Sequence, residues 1–139
     1  MTTVEKNKML MNRFVEFINT ANEELSLELI SPDAVFYAPV QTEPLHGPAG
    51  YMQIINMMRS GFPDIQWTLI ETIAEDDAIA ARFIMRGTHQ GIFFGIPATG
   101  KQIEVQAMNF YRLCDGKIIG EHGQPDLLNL LKQLGSFSM

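Results

Sequence analysis

The chain has 139 residues, 46% hydrophobic and 19% charged, with ten basic against sixteen acidic side chains and a net charge of −6. That length suits one domain over residues 1–139, able to bury a core without disulfides or metals. The composition excludes a disordered or coiled-coil chain. An acidic surface without a Lys/Arg cluster repels phosphate backbones and anionic lipid, which argues against nucleic acid and membranes as partners.

The N-terminal third reads as helical. Met11, Phe14, Ile18 and Ala21 recur at spacings of three and four and form one apolar stripe. Asn22 can cap a second, short helix carrying Leu25 and Leu29 on one face, stopped by Ser31-Pro32-Asp33. Ala34 to Ala38 reads as a short strand and Gln41 to Pro48 as a loop. Pro48 suits the first turn of a third helix, which presents Tyr51, Ile54, Ile55 and Met58 to the core and ends at Gly61 and Pro63.

The period then changes from about 3.6 to 2. Ile65, Trp67 and Leu69 alternate with polar residues, and Glu75-Asp76-Asp77 makes a turn. In the next strand Ile79, Ala81, Phe83 and Met85 share one face, with Arg82 and Arg86 on the other. A loop from Gly91 to Gly100 leads to a strand in which Ile103, Val105, Ala107, Asn109 and Tyr111 alternate with Glu104 and Gln106. Asp115-Gly116 is a hairpin signal, and Lys117 to Gln124 is the last strand. Pro125 opens a closing helix of Leu127, Leu128, Leu130, Leu131 and Leu134, stopped by Gly135. Consecutive antiparallel strands with helices grouped on one face make an α+β domain. A strongly curved sheet closed by helices encloses a conical cavity, the natural place for a small-molecule site.

Cys114 is the only cysteine, so no intrachain disulfide forms. No apolar run reaches the length of a membrane span, and Met1 to Lys8 lacks the hydrophobic stretch of a signal peptide. The expectation is a soluble cytoplasmic protein.

Gly87 to Lys101 reads GTHQGIFFGIPATGK, which resembles the "GTHxGxFxGIPPTGK" segment of the SnoaL-like polyketide cyclases. Tyr111 to Ile119 is similar to that family's "FRxxDGKI", and these two motifs together are specific for it. Glu121 to Asp126 and the following Leu127 to Gly135 are similar to "ExWxxxD" and "LLxQLG"; Gly47 to Gly50 and Phe62 to Asp64 match "GPEG" and "FPD". The resemblance implies an NTF2-like α+β cone, usually an oligomer packed through its sheet. It also implies ring closure of an aromatic polyketide by intramolecular aldol condensation, with an acid/base aspartate and no metal or organic cofactor. The aspartate falls on Asp126; the family usually has Trp where His122 stands.

An aldol closure needs a base for a proton beside a carbonyl and donors for the enolate oxygen. Asp126 is the candidate base, its carboxylate expected to face the hollow, although its place at the start of the last helix equally suits a cap. His122 and Gln124 share its strand parity; His122 is a second catalytic candidate, about 13 Å from Asp126 along an ideal strand. His89, in phase with the apolar face, either contacts substrate or fastens the following loop. Asn109 is an inward amide that can meet a ligand carbonyl or a neighbouring strand. His46 lies in a loop, placed at the cavity mouth. The binding set is therefore His89, Asn109, Gln124 and His46. Three histidines without paired spacing do not make a metal site. Cys114 lacks a basic neighbour and is not a nucleophile candidate. Two readings stand: a cofactor-independent enzyme acting on a small hydrophobic carbonyl compound, and a non-catalytic binding or dimerisation module. In both, Met108, Phe110 and Arg112 on the outer sheet face suggest a homo-oligomer, dimer or tetramer.

Overall fold

The computed structural model describes residues 1–39 and 42–136; Gln41, where the sequence reading begins its loop, lies outside them. Helix α1 (Thr3–Thr20) starts where the Thr2 hydroxyl accepts the Glu5 N–H at 3.1 Å and ends at Ala21 in the left-handed region. Asn22 caps α2 (Glu23–Leu29) by accepting from the Leu25 N–H. Strand β1 (Ile30–Tyr37) follows at once, earlier than the sequence suggests. Pro32 is tolerated there because the β1 register shifts between Ile30 and Val35, so its missing N–H falls in an irregular stretch.

Strand β2 (Leu45–His46) replaces part of the expected loop; two residues are too few to show alternation in a sequence. Helix α3 (Gly47–Gly61) begins at a glycine for two reasons. Its φ is +68°, and a Cβ there would lie 2.9 Å from the Pro32 carbonyl oxygen.

Strands β3 (Gln66–Glu75), β4 (Ala78–Thr88), β5 (Gln102–Cys114) and β6 (Lys117–Pro125) form an antiparallel meander. Strand β1 adds parallel to β6, giving the order β2-β1-β6-β5-β4-β3. The sheet is curved and unclosed, with β2 and β3 as its edges, so it is a cone wall rather than a barrel. Pro125 ends β6 instead of opening the last helix, and α4 (Leu127–Leu134) starts one residue after Asp126.

Helices α1 and α3 cover the concave face, α1 against β3 and α3 against β1. The core between them is aromatic: the fully buried Phe14 ring lies 5.7 Å from Phe17, 5.2 Å from Tyr51 and 5.5 Å from Tyr111. Asp64 of the Phe62-Pro63-Asp64 segment accepts from both the backbone N–H and the hydroxyl of Thr88, each at 2.7 Å. These bonds hold its carboxyl below the usual aspartate range and tie the segment before β3 to the end of β4.

The connection between β4 and β5 is clamped at both sides. His89 and Lys101, and Gly100 and His89, exchange backbone hydrogen bonds of 2.8 Å at its neck. The Gln90 and Gly91 N–H groups both donate to the Gly61 carbonyl, and a Cβ on Gly91 would come within 1.9 Å of the Ser60 oxygen. Only glycine can approach the end of α3 so closely. Among the described residues no helix is long and apolar enough to cross a membrane.

Candidate active site

A cavity of about 230 Å³ lies between the concave sheet face and the helices. Its walls are largely apolar: Ile18 from α1, Ile54, Ile55, Met57 and Met58 from α3, Trp67, Phe83 and Met85 from the sheet, and Phe93 and Phe94 from the clamped loop. Against that background the polar groups are few. Tyr51, Asn109, Tyr111 and Glu121 line one side, with Gly123 beside them.

Which residues of β6 face inward is decided by a bulge. Ile118 is buried and pairs with Leu113, but the next pair is Gly120 with Arg112, so Ile119 is the extra residue. One inserted residue reverses the alternation. Beyond it Glu121, Gly123 and Pro125 line the cavity, and His122, Gln124 and Asp126 are exposed.

Glu121 is 5% exposed and Tyr111 fully buried. The Tyr51 hydroxyl donates to Glu121 Oε1 at 3.0 Å. Asn109 Nδ2 donates to the Tyr111 oxygen at 3.1 Å, and Asn109 Oδ1 accepts the Gln124 N–H at 3.1 Å. Asn109 thus has its β6 neighbour as a partner and still lines the cavity.

Burial pushes the Glu121 carboxyl up to about 7; the hydroxyls of Tyr111 and Tyr51 partly offset this by hydrogen-bonding the charged form. Burial, and next the Glu121 charge, pushes both tyrosine hydroxyls well above their ordinary value, so they remain protonated donors. The arrangement is a proton acceptor near neutrality with hydroxyl donors beside it, inside an apolar chamber.

The other expected residues lie elsewhere. Asp126 is exposed and its carboxylate accepts the Asn129 N–H at 3.1 Å, capping α4; the expectation that it faces the hollow is corrected by the bulge. His122 is exposed on the outer face, its ring stacked on Tyr37 at 4.4 Å and 10°. Gln124 is exposed and reaches the site only through its backbone N–H. His46 is exposed in β2 opposite Val35 and is not part of the cavity lining.

His89 is fully buried but outside the lining. Its Nδ1 accepts the Thr99 N–H at 3.2 Å and lies 2.9 Å from the Thr99 hydroxyl, fastening the β4–β5 loop. That bond assigns the ring proton to Nε2, which is buried without a partner among the described residues. Cys114 is exposed, and the adjacent Asp115 carboxylate raises its thiol. Among the described residues no three His, Cys, Asp or Glu side chains group as metal ligands.

Sequence reasoning missed Glu121 and took Tyr51 only as core. One signal was available: the adjacent apolar pair Ile118-Ile119 interrupts strict alternation, as a bulge does.

A family model described as SnoaL-like polyketide cyclase matches residues 8–134. The chain is 29% identical over 133 residues to the aklanonic acid methyl ester cyclase DnrD of Streptomyces peucetius, covering 91% of this chain and 88% of that one. It is 28% identical over 123 residues to the nogalonic acid methyl ester cyclase of Streptomyces nogalater, covering 87% and 91%. Among solved structures it is similar to wild-type IdmH of Streptomyces antibioticus (TM-score 0.83, 29% identity, 92% of this chain and 97% of that chain). It is also similar to TsrD of Streptomyces laurentii (TM-score 0.85, 25% identity, 99% and 100%).

Proposed function

The chain belongs to the SnoaL-like polyketide cyclase family, and from that premise we propose that it closes a ring by intramolecular aldol condensation with Glu121 as the acid/base group. The observation that supports this most is the buried Glu121 carboxylate facing an apolar cavity with the Tyr51 hydroxyl on it. Glu121 removes a proton from the carbon beside a carbonyl. The resulting enolate carbon attacks a second carbonyl carbon of the same molecule, forming the C–C bond. The new alkoxide takes back the proton now held by Glu121, so the reaction consumes no proton and no co-reactant. Once Glu121 is protonated, the Tyr111 hydroxyl, still accepting from Asn109, turns its hydrogen bond from Glu121 to the enolate oxygen without giving up its proton. A substrate carbon acid flanked by two carbonyls matches a base of this strength.

Only ionised Glu121 can act as the base, and its carboxyl titrates near 7. Catalysed exchange of the acidic C–H of a β-dicarbonyl probe is therefore expected to rise about tenfold per pH unit below 7 and to level off above it. Deuterium incorporation followed by NMR from pH 5 to 9 measures this; a catalysed rate flat across that range removes Glu121 from the role.

We also propose that two copies associate through the outer sheet face. Ile73, Ala80, Phe110, His122 and Tyr37 stand opposite one another in a single row across β3, β4, β5, β6 and β1, and all five are exposed. Sedimentation is expected to give a dimer at micromolar concentration and a monomer for Phe110→Glu. A wild-type monomer under those conditions rejects the interface.

A further inference from the structure

The connection between β4 and β5 ends in a turn that its residues do not favour. Phe93 and Ile96 exchange backbone hydrogen bonds of 3.1 and 2.9 Å, leaving Phe94 and Gly95 as the two central residues. Their φ values are +48° and +75°, the left-handed pair of a type I′ turn. Glycine takes this conformation freely. In any other residue the Cβ crowds the following carbonyl oxygen, and a bulky side chain there is an outlier. The β3–β4 and β5–β6 turns put Asp76 and Asp115 at the left-handed position, where a short polar side chain is tolerated. Among the described residues Phe94 is the one large side chain at positive φ.

Folding contacts do not account for this choice. The neighbouring Phe93, 3% exposed, already anchors the loop, its ring packed over Gly61 and 5.1 Å from Phe62. Phe94 is 44% exposed and leans on Phe93 with ring centroids 4.4 Å apart. Burying part of one ring gains about as much as the left-handed backbone costs, so Phe94 adds little net stability.

Its position supplies the missing reason. The described cavity-lining residues that are also exposed are Tyr37, Pro39, Gln53 and Phe94, so these border the mouth. The Tyr37 ring is already stacked on His122 at the outer sheet face. Phe94 is therefore the aromatic ring at the mouth placed to turn onto a molecule inside. Taking the Glu121 cavity as the reaction chamber argued above, we propose that Phe94 is a ligand-retaining residue, its ring closing on the bound ligand at the mouth and slowing release. Strained backbone that persists at a ligand clamp fits this role. The loop backbone stays still, held by Phe93 and by the two hydrogen bonds to the Gly61 carbonyl. Closure is a rotation of the Phe94 side chain, and a Cβ on the adjoining Gly95 would meet nothing within 4 Å, so the turn around it is open.

Trp67 is the only tryptophan and lines the cavity, so its fluorescence reports occupancy by the neutral β-dicarbonyl benzoylacetone. Stopped-flow dilution of the loaded full chain measures release. Release from Phe94→Asn is expected to be about tenfold faster than from wild type, the usual worth of an aromatic contact. Phe94→Tyr keeps a ring at the mouth and is expected to release within about twofold of wild type. The urea midpoint of Phe94→Asn is expected at or above that of wild type, because Asn suits the turn. In C–H exchange of benzoylacetone, Phe94→Asn is expected to raise KM about tenfold and to leave the pH midpoint near 7 in place. Equal release from Phe94→Asn and wild type, release from Phe94→Tyr as fast as from Phe94→Asn, a urea midpoint well below wild type for Phe94→Asn, or no saturable binding by wild type overturns the proposal. If release behaves as expected while Glu121→Gln keeps full exchange, the role of Phe94 stands and the acid/base assignment falls.

Discussion

Glu121→Gln is expected to lower the rate of ring closure, or of C–H exchange in a β-dicarbonyl probe, by about 10²–10⁴-fold, the usual contribution of a positioned acid/base group. The amide keeps the shape of the side chain and can still accept from Tyr51, so the cavity should persist. It cannot take a proton from carbon. The same substitution is expected to stabilise the fold in a defined pH window. Glu121 titrates near 7 in the folded chain, against an ordinary value of 4.5. Below 4.5 it is protonated in both states and costs nothing. As pH rises from 4.5 to 7 the unfolded chain ionises first, so stability falls. Above 7 the penalty is constant at on the order of 3 kcal/mol, from about 1.4 kcal/mol per pH unit. Urea titrations of wild type and Glu121→Gln at pH 4 and pH 8 should converge at the lower pH and diverge at the higher. Asp126→Ala serves as the control. It removes the α4 cap, should cost about 1 kcal/mol, and should leave the rate of the folded protein unchanged. If instead Asp126→Ala abolishes turnover and Glu121→Gln does not, the acid/base role returns to Asp126.

Phe14→Ala carries the largest expected stability loss, about 3–5 kcal/mol, because a fully buried ring is replaced by a cavity. The ring packs on Phe17, Tyr51 and Tyr111 together, so its removal also frees the two hydroxyls that serve Glu121. Turnover per folded molecule is therefore expected to fall by about tenfold or more, since small misplacements of catalytic groups are costly. Denaturant midpoint and rate measured in the same buffer separate the two effects. A full rate in the folded fraction would show that Phe14 serves stability alone.

Much of this architecture follows from local chemistry and is readable in order along the chain. The spacing of Met11, Phe14 and Ile18 sets the buried face of α1, and Thr2, Asn22 and Asp126 each cap the helix that follows. Asp115 and Gly116 adopt φ of 50° and 75°, as their turn demands. Alternation in β4 and β5 places Phe83, Met85 and Asn109 on the cavity side as expected. These features depend on neighbours a few residues away, and periodicity registers them directly.

What required the assembled chain was pairing between distant strands. The parallel contact of β1 with β6 and the two-residue β2 have no period to detect. The adjacent apolar pair Ile118-Ile119 hints at a bulge, but only pairing with β5 makes Ile119 the extra residue of β6. That single residue turns Asp126 and His122 outward and Glu121 inward. Sequence alone determined the α+β class and a hollow between sheet and helices, and named Asp126, at the start of the last helix, as the acidic group beside it. Tertiary structure put Glu121 there instead, because a strand side chain's direction depends on register with its partner, and register is a property of two segments rather than of either.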